Sequence, residues 1–269
     1  MKTLEESIAA AMDSPEDVGL VPYLPYILQD FWAIGTPPET VIDLVKKHCI
    51  VETQCVASLR NAPSVLDLGC GKGAVSVKLA ATLKCNCYGI DGIPEFIEIA
   101  KAKAQEFGVD TLCRFEVGDI RDVETWRTAS QFDVIILGAI GQVFGDYYAT
   151  LSTLSEHLTP NGTVIINDAY ADDTIEFKHP LVLHHRELLR QTQQAGMELI
   201  DECTDAPTNY AEEYESLQKR CKELMAKYPE KASHFENYAH SQIDEYDALV
   251  NKLICSVMVF KKQKTLTAT

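Results

Sequence analysis

Residues 64–73 read Ser64-Val65-Leu66-Asp67-Leu68-Gly69-Cys70-Gly71-Lys72-Gly73. The first five are a short, largely apolar run of the kind that forms a strand buried on both faces. Three glycines at alternate positions then stand where that strand turns into an amphipathic helix over 73–83. Glycine there reaches dihedrals closed to other residues and lets a ligand come close to bare backbone. Three of them exceed what a tight turn requires, so the loop reads as a ligand cradle. The spacing is Gly69-x-Gly71-x-Gly73, without the later glycine of the G-x-G-x-x-G dinucleotide pattern.

Beyond this loop, strand-like runs cover 86–91, part of 111–119, 132–137, 163–168, 197–202 and 253–260. Helical stretches lie at 94–107, 146–158 and 186–195. Pro94 opens the first, Gly108 and Gly196 follow the first and last, and Pro160-Asn161-Gly162 stops the middle one. Such alternation predicts a doubly wound α/β sheet. Upstream, helices are expected over 3–12 and 39–58, with Pro38 in the first turn of the second. Residues 207–252 break the rhythm: they are polar and helical in period, with Tyr210, Tyr214, Leu217, Cys221 and Leu224 on one face. The expected domains are an N-terminal helical extension or lid (1–60), a core (61–206 and 253–264), and a helical cap insertion (207–252) before the last strand. Extension and cap are expected to close one pocket jointly.

Two acids follow later strands. Asp91 ends the second strand about 20 residues after the loop, where a carboxylate accepts both ribose hydroxyls of an adenosine and argues against a 2′-phosphate. Asp119 follows the third strand in Gly118-Asp119-Ile120, placed to accept from an adenine amine. With these pieces in order, the sequence resembles the class I S-adenosylmethionine-dependent methyltransferases. Residues 65–73 are similar to that family's first motif, Tyr88-Gly89-Ile90-Asp91 to the end of its second strand, and Gly118-Asp119-Ile120 to the motif after its third. Leu158-Thr159-Pro160-Asn161-Gly162 is similar to its L-x-P-G-G run, with Asn161 in place of the first glycine. The resemblance covers about 60–203 plus the last strand.

The resemblance implies a Rossmann-like, seven-stranded, mostly parallel sheet whose last strand runs antiparallel. It implies S-adenosyl-L-methionine as cofactor and S-adenosyl-L-homocysteine as product. Asp67 and the glycine loop would face the methionine part, Asp91 the ribose, and Asp119 with Ile120 the adenine. The implied cofactor-binding set is Asp67, Gly69, Cys70, Gly71, Gly73, Asp91, Gly92, Asp119, Ile120 and Gly138. The long N-terminal extension and the helical stretch 207–252 depart from the family's usual outline, and substrate choice is expected there.

Methyl transfer is an in-line displacement that needs alignment, exclusion of water and, for an acidic acceptor, a base. Asp168, at the carboxyl rim after the fifth strand, and His184 with His185, at the start of a helix, are the candidate catalytic groups. Tyr170, and Tyr23, Tyr26 and Trp32 in the extension, are candidate acceptor contacts. Each has a plainer reading: a loop cap for Asp168, helix capping for the histidines, packing for the aromatics. Residues 137–142 lack the Asn/Asp-Pro-Pro-aromatic loop of nucleobase amine methyltransferases. Gly138 stands where metal-assisted catechol-type enzymes carry an acid, so no metal is expected.

Forty acidic against 24 basic residues give a net charge of −16 over 269 residues. Residues 201–250 alone hold 12 acids and 5 bases, and the basic cluster at the end is Lys261, Lys262 and Lys264. Nucleic acid or an anionic membrane would want a basic face. No run approaches the ~18 apolar residues of a membrane span, and Glu5, Glu6 and Asp13 interrupt the start as a signal peptide. Nine cysteines, mostly in apolar runs, read as reduced thiols in a cytoplasmic protein, with Cys85 and Cys87 alternating on a strand as core. The expected acceptor is a small molecule and the expected state a monomer or homodimer, without nucleic acid or membrane as partner. A protein or peptide methyltransferase and a non-catalytic cofactor-binding protein stay open as alternatives. A nicotinamide-dependent oxidoreductase is disfavoured by the glycine spacing and by Asp119.

Overall fold

The structure, a computed structural model, describes residues 2–12, 14–49, 62–126, 131–179, 181–204 and 210–263. Strands β1 (Ser64–Leu68), β2 (Asn86–Asp91), β3 (Cys113–Val117), β4 (Phe132–Gly138), β5 (Leu158–Tyr170), β6 (Met197–Cys203) and β7 (Ile254–Lys262) form one sheet in the order β3-β2-β1-β4-β5-β7-β6. The pairs β1–β2, β1–β4, β2–β3 and β4–β5 are parallel, and β7 runs antiparallel to both β5 and β6. The doubly wound, seven-stranded sheet with a reversed last strand is therefore the observed fold.

Period-two alternation along the strands builds a core on each face. Val65, Val134, Ile136, Ile165 and Val257 pack against α3 (Pro38–Cys49), α4 (Ala74–Leu83) and α5 (Pro94–Glu106) through Val41, Val45, Leu79 and Ile97. Leu66, Leu68, Ile135, Leu137 and Met258 face the other way, against α6 (Val123–Trp126), α7 (Tyr147–Ser155) and α8 (His185–Gln194) through Trp126, Leu151, Leu154 and Leu188. Each such aliphatic, fully buried, contributes roughly 1.5–3 kcal/mol, which sets the strand register and so the position of every loop at the strands' carboxyl ends.

A third core lies off the sheet. Leu20, Leu24 and Ile27, from a 3-10 turn (Val18–Tyr23) and α2 (Leu24–Ile27), meet Leu217, Cys221 and Leu224 of α9 (Tyr210–Lys227) and Phe235 and Tyr238 of α10 (Ala232–Asn251). Ile93 and Phe96 tie this cluster to α5. The insertion is thus a helical hairpin packed on the N-terminal extension, whose first helix is α1 (Leu4–Ala11).

One boundary differs in kind from the sequence expectation. The helix expected to reach Leu158 ends at Ser155, and β5 begins at Leu158 rather than at Thr163. Leu158 already pairs with Phe132, and the register then slips before Val134 meets Thr163. Pro160-Asn161-Gly162 is therefore a bulge within the strand. Gly162 is confined there because a Cβ would stand 2.9 Å from the Phe132 carbonyl oxygen. The expected continuation of α3 to Ser58, the tail at Lys264 and the side chain of Tyr210 lie outside the described residues. Cys85 and Cys87 are buried in the first core. Among the described residues no helix is long and apolar enough to cross a membrane.

Candidate active site

β1 passes into α4 through Gly69, Gly71 and Gly73, with φ of 73°, 52° and 74°. At Gly73 a Cβ would lie 2.8 Å from Ala100 Cβ and 2.9 Å from the Phe115 ring, so this glycine lets helix and sheet close together. At Gly71 the nearest atom a Cβ would meet is Ile34 Cδ1 at 3.9 Å, which leaves bare backbone facing open space. β2 holds the loop: the Gly69 and Cys70 amides donate to the Ile90 carbonyl at 2.9 and 3.0 Å. The Gly71 amide donates to Asp91 Oδ2 at 2.8 Å, and the Ile93 amide to Asp91 Oδ1 at 2.9 Å.

Asp67, 3% exposed, accepts from Ser76 Oγ at 2.6 Å. Burial, opposed by that hydrogen bond, pushes its carboxyl up to about 6. Burial also raises Asp91, against the amides that it accepts. An ionised carboxylate has about four lone-pair positions, so each keeps capacity for a further donor. Among the described residues no cation pairs with either acid. Lys72, the loop's own cation, points elsewhere: its Nζ donates to the carbonyls of Leu28 and Phe31 and lies 5.5 Å from the Phe96 ring centroid. Asp119 accepts from Arg121 Nη2 at 2.6 Å and Nε at 2.9 Å, and that guanidinium holds it below the usual carboxylate range.

These groups line one cavity at the carboxyl ends of β1, β2, β3 and β4. Its floor is Asp67, Gly69 to Lys72, Asp91, Gly92, Asp119 and Ile120, and one wall is Gly138, Ala139 and Ile140. The roof comes from the N-terminal extension: Leu4 and Ile8 on α1 and Met12 at its end, then Trp32, Ala33, Ile34 and Thr36. A Cβ on Gly92 would sit 2.9 Å from Ile8 Cδ1, so α1 rests directly on the end of β2. Trp32 Nε1 donates to the Lys72 carbonyl at 2.9 Å, and Asn167 Nδ2 donates to Thr36 Oγ1 at 3.2 Å.

The structure gathers Trp32 and nine of the ten residues of the expected cofactor set around this cavity. The tenth, Gly73, is a packing residue outside the wall. The expected catalytic groups lie elsewhere. Asp168 turns under α7, where Tyr147 Oη donates to it at 3.0 Å. His184 sets its ring nitrogens 3.1 and 3.0 Å from the Asp172 and Phe177 carbonyls and pins a surface loop. His185 stacks on Tyr170 at 4.7 Å between centroids, and the Tyr170 hydroxyl donates to Glu202 at 3.1 Å. Tyr23 packs edge-on against Phe235 and accepts from Lys231 Nζ at 2.7 Å; Tyr26 donates to Glu223 at 2.7 Å. None of these six lines the cavity, because strand alternation or the hairpin directs each to a different partner. The hairpin α9–α10 contributes no lining residue either. It supports the roof from behind, which corrects the expectation of a jointly closed pocket. Sequence reasoning missed Lys72, Thr36 and the apolar face of α1. A lysine set amid the glycines was the one signal available; the other two show only after folding.

A Rossmann-like α/β fold with a glycine loop, an acid ending β2 and a ligand cavity at the strands' carboxyl ends is the class so defined. The chain belongs to the methyltransferase domain family, which it matches over residues 59–238. It is 28% identical over 127 residues to a malonyl-[acyl-carrier protein] O-methyltransferase of Priestia megaterium, covering 47% of this chain and 43% of the relative. It is 30% identical over 89 residues to the release factor glutamine methyltransferase of Escherichia coli, covering 32% of each. The chain thus spans less than half the length of these curated relatives. Among solved structures, a SAM-dependent methyltransferase from Geobacter sulfurreducens in complex with S-adenosyl-L-homocysteine aligns with a TM-score of 0.71 at 18% identity, covering 90% of this chain and 98% of that one. At that identity the likeness is one of fold.

Proposed function

We propose that the protein is an S-adenosyl-L-methionine-dependent methyltransferase acting on a small-molecule acceptor by direct displacement. The observation that carries this reading is the pair of carboxylates, Asp67 and Asp91, that meet no cation among the described residues, beside bare Gly71 backbone and with the loop's lysine turned away. Such a site suits a ligand that brings positive charge and hydroxyl donors. The charge of Asp67 beside the loop disfavours a pyrophosphate there. Bound there, the cofactor supplies an electrophilic methyl on a sulfonium. Asp91 would accept ribose hydroxyls, ionised Asp67 with the Gly71 backbone would face the cationic methionine end, and Asp119 with Ile120 would flank adenine.

The rate would come from alignment and from exclusion of water by the roof, since Asp168, His184 and His185 are engaged outside the cavity. A roof made of α1 and residues 32–36 over an apolar wall supports a small acceptor rather than a polypeptide. The release factor relative keeps the polypeptide alternative in the test. Eight free cysteines among the described residues support a reducing, cytoplasmic setting.

Incubation with methyl-labelled S-adenosyl-L-methionine and a cell extract, fractionated by size, tests the acceptor. Label is expected among small molecules. Label confined to protein contradicts the small acceptor, and no label in either fraction, with the cofactor bound, favours a non-catalytic binder.

A further inference from the structure

Two of the loops that shape the cofactor side of the cavity each send one cation into the backbone of the N-terminal extension. From the glycine loop, the Lys72 ammonium donates to the carbonyls of Leu28 and Phe31, just past the end of α2. From the loop after β3, Arg121 donates Nη1 to the Lys2 carbonyl and Nη2 to the Thr3 carbonyl, each at 3.0 Å, while also holding Asp119. Lys72 is the more committed of the two. It is 3% exposed, its Nζ lies over the Phe96 ring at 5.5 Å, and its own carbonyl receives Trp32 Nε1 at 2.9 Å. Burial lowers its ammonium to about 8 while Asp30 acts the other way, and the two carbonyls accept its hydrogen bonds. A lysine in a ligand loop ordinarily faces the ligand. This one faces the roof, in contact with the segment that runs directly into the lining residues Trp32, Ala33, Ile34 and Thr36.

We propose that Lys72 is a positioning residue that couples the glycine loop to the roof, so that seating the cofactor on Gly69 to Gly73 fixes Trp32 to Thr36 over the acceptor side of the cavity. This rests on the proposed function, and it adds a residue whose part is played through the backbone of another segment. The groups on the roof that accept from Lys72 are main-chain carbonyls, so no side-chain change in 28–31 removes them, and the Trp32 Nε1 bond to the Lys72 carbonyl is a second link beside them. Arg220 completes the restraint from behind, donating to Asp30 at 2.7 and 2.8 Å from α9.

Hydrogen exchange of residues 24–36, with and without S-adenosyl-L-homocysteine as the probe, tests the coupling. In the wild type the probe is expected to slow exchange there. In Lys72→Met the probe is still expected to bind, β1 and α4 to stay protected, and the slowing at 24–36 to be lost by at least fivefold. Lys72→Arg, which keeps a cation in the loop, is expected to restore at least half of it, whereas a merely structural lysine would show no dependence on the probe. A second measurement needs no variant: amine labelling of the wild type read by mass spectrometry. Lys72 is expected to label at least tenfold more slowly than exposed Lys101, and more slowly still with the probe. Binding of the probe to Lys72→Met with unchanged protection at 24–36, or equal labelling of Lys72 and Lys101, overturns the coupling alone. Failure of the probe to bind the wild type overturns the proposed function as well.

Discussion

Asp67 and Asp91 give the site its sign. Asp67 ordinarily titrates near 3.8 and is pushed to about 6 in the fold. A carboxyl raised in this way stabilises the ligand-free fold most below about 4, and that contribution is lost as pH rises through 6. The α-ammonium at the homocysteine end of a bound ligand works in the opposite direction, because it favours the ionised form. The affinity for S-adenosyl-L-homocysteine is therefore expected to fall roughly tenfold between pH 7.5 and pH 5, one pH unit below that titration. Calorimetry at the two pH values reads this directly, and equal affinities would remove Asp67 from the cofactor's surroundings. Asp91 holds the Gly71 and Ile93 amides as well as its expected ligand donors. Asp91→Ala should weaken binding of the same probe by about 1–3 kcal/mol through unpaired donors, with the fold retained because the residue ends a strand. An unchanged dissociation constant would take the ribose role away from Asp91.

The elements divide into a sheet that the sequence makes legible and a roof that it does not. The strands could be read because runs such as Val134 to Leu137 are buried on alternate faces by helices on both sides, which leaves a continuous apolar signature. The start of β5 could not, since Leu158 becomes strand only by pairing with Phe132 across a bulge. The glycine loop and the acids that end β2 and follow β3 were legible from spacing alone. His184, His185 and Asp168 looked catalytic because they sit near strand ends, but which way a side chain turns is settled by partners distant in sequence, such as Tyr147. The roof was the least legible part, because backbone carbonyls hold it to the loops. Its support is the hairpin, where Phe235 and Tyr238 are fully buried. Phe235→Ala should lower stability by about 3–5 kcal/mol through the cavity it leaves. Urea unfolding would measure that, and a loss below 1 kcal/mol would mean that hairpin and extension are only loosely packed.

At the scale of the whole molecule, the doubly wound sheet presents a cavity at its carboxyl edge, and two additions to the sheet finish it: an extension that forms the roof, and a hairpin that braces that roof. The net charge of −16 agrees in sign with Asp67 and Asp91 of the site. Here the loop's lysine is held by carbonyls of the roof, and among the described residues no cation pairs with Asp67 or Asp91. One titration tests the cofactor assignment most directly: calorimetry of the wild-type protein with S-adenosyl-L-homocysteine and, in parallel, with NAD. S-adenosyl-L-homocysteine is expected to bind with a dissociation constant on the order of micromolar, about −8 kcal/mol, and NAD at least a hundredfold more weakly. Tight binding of NAD with no heat from S-adenosyl-L-homocysteine would contradict it.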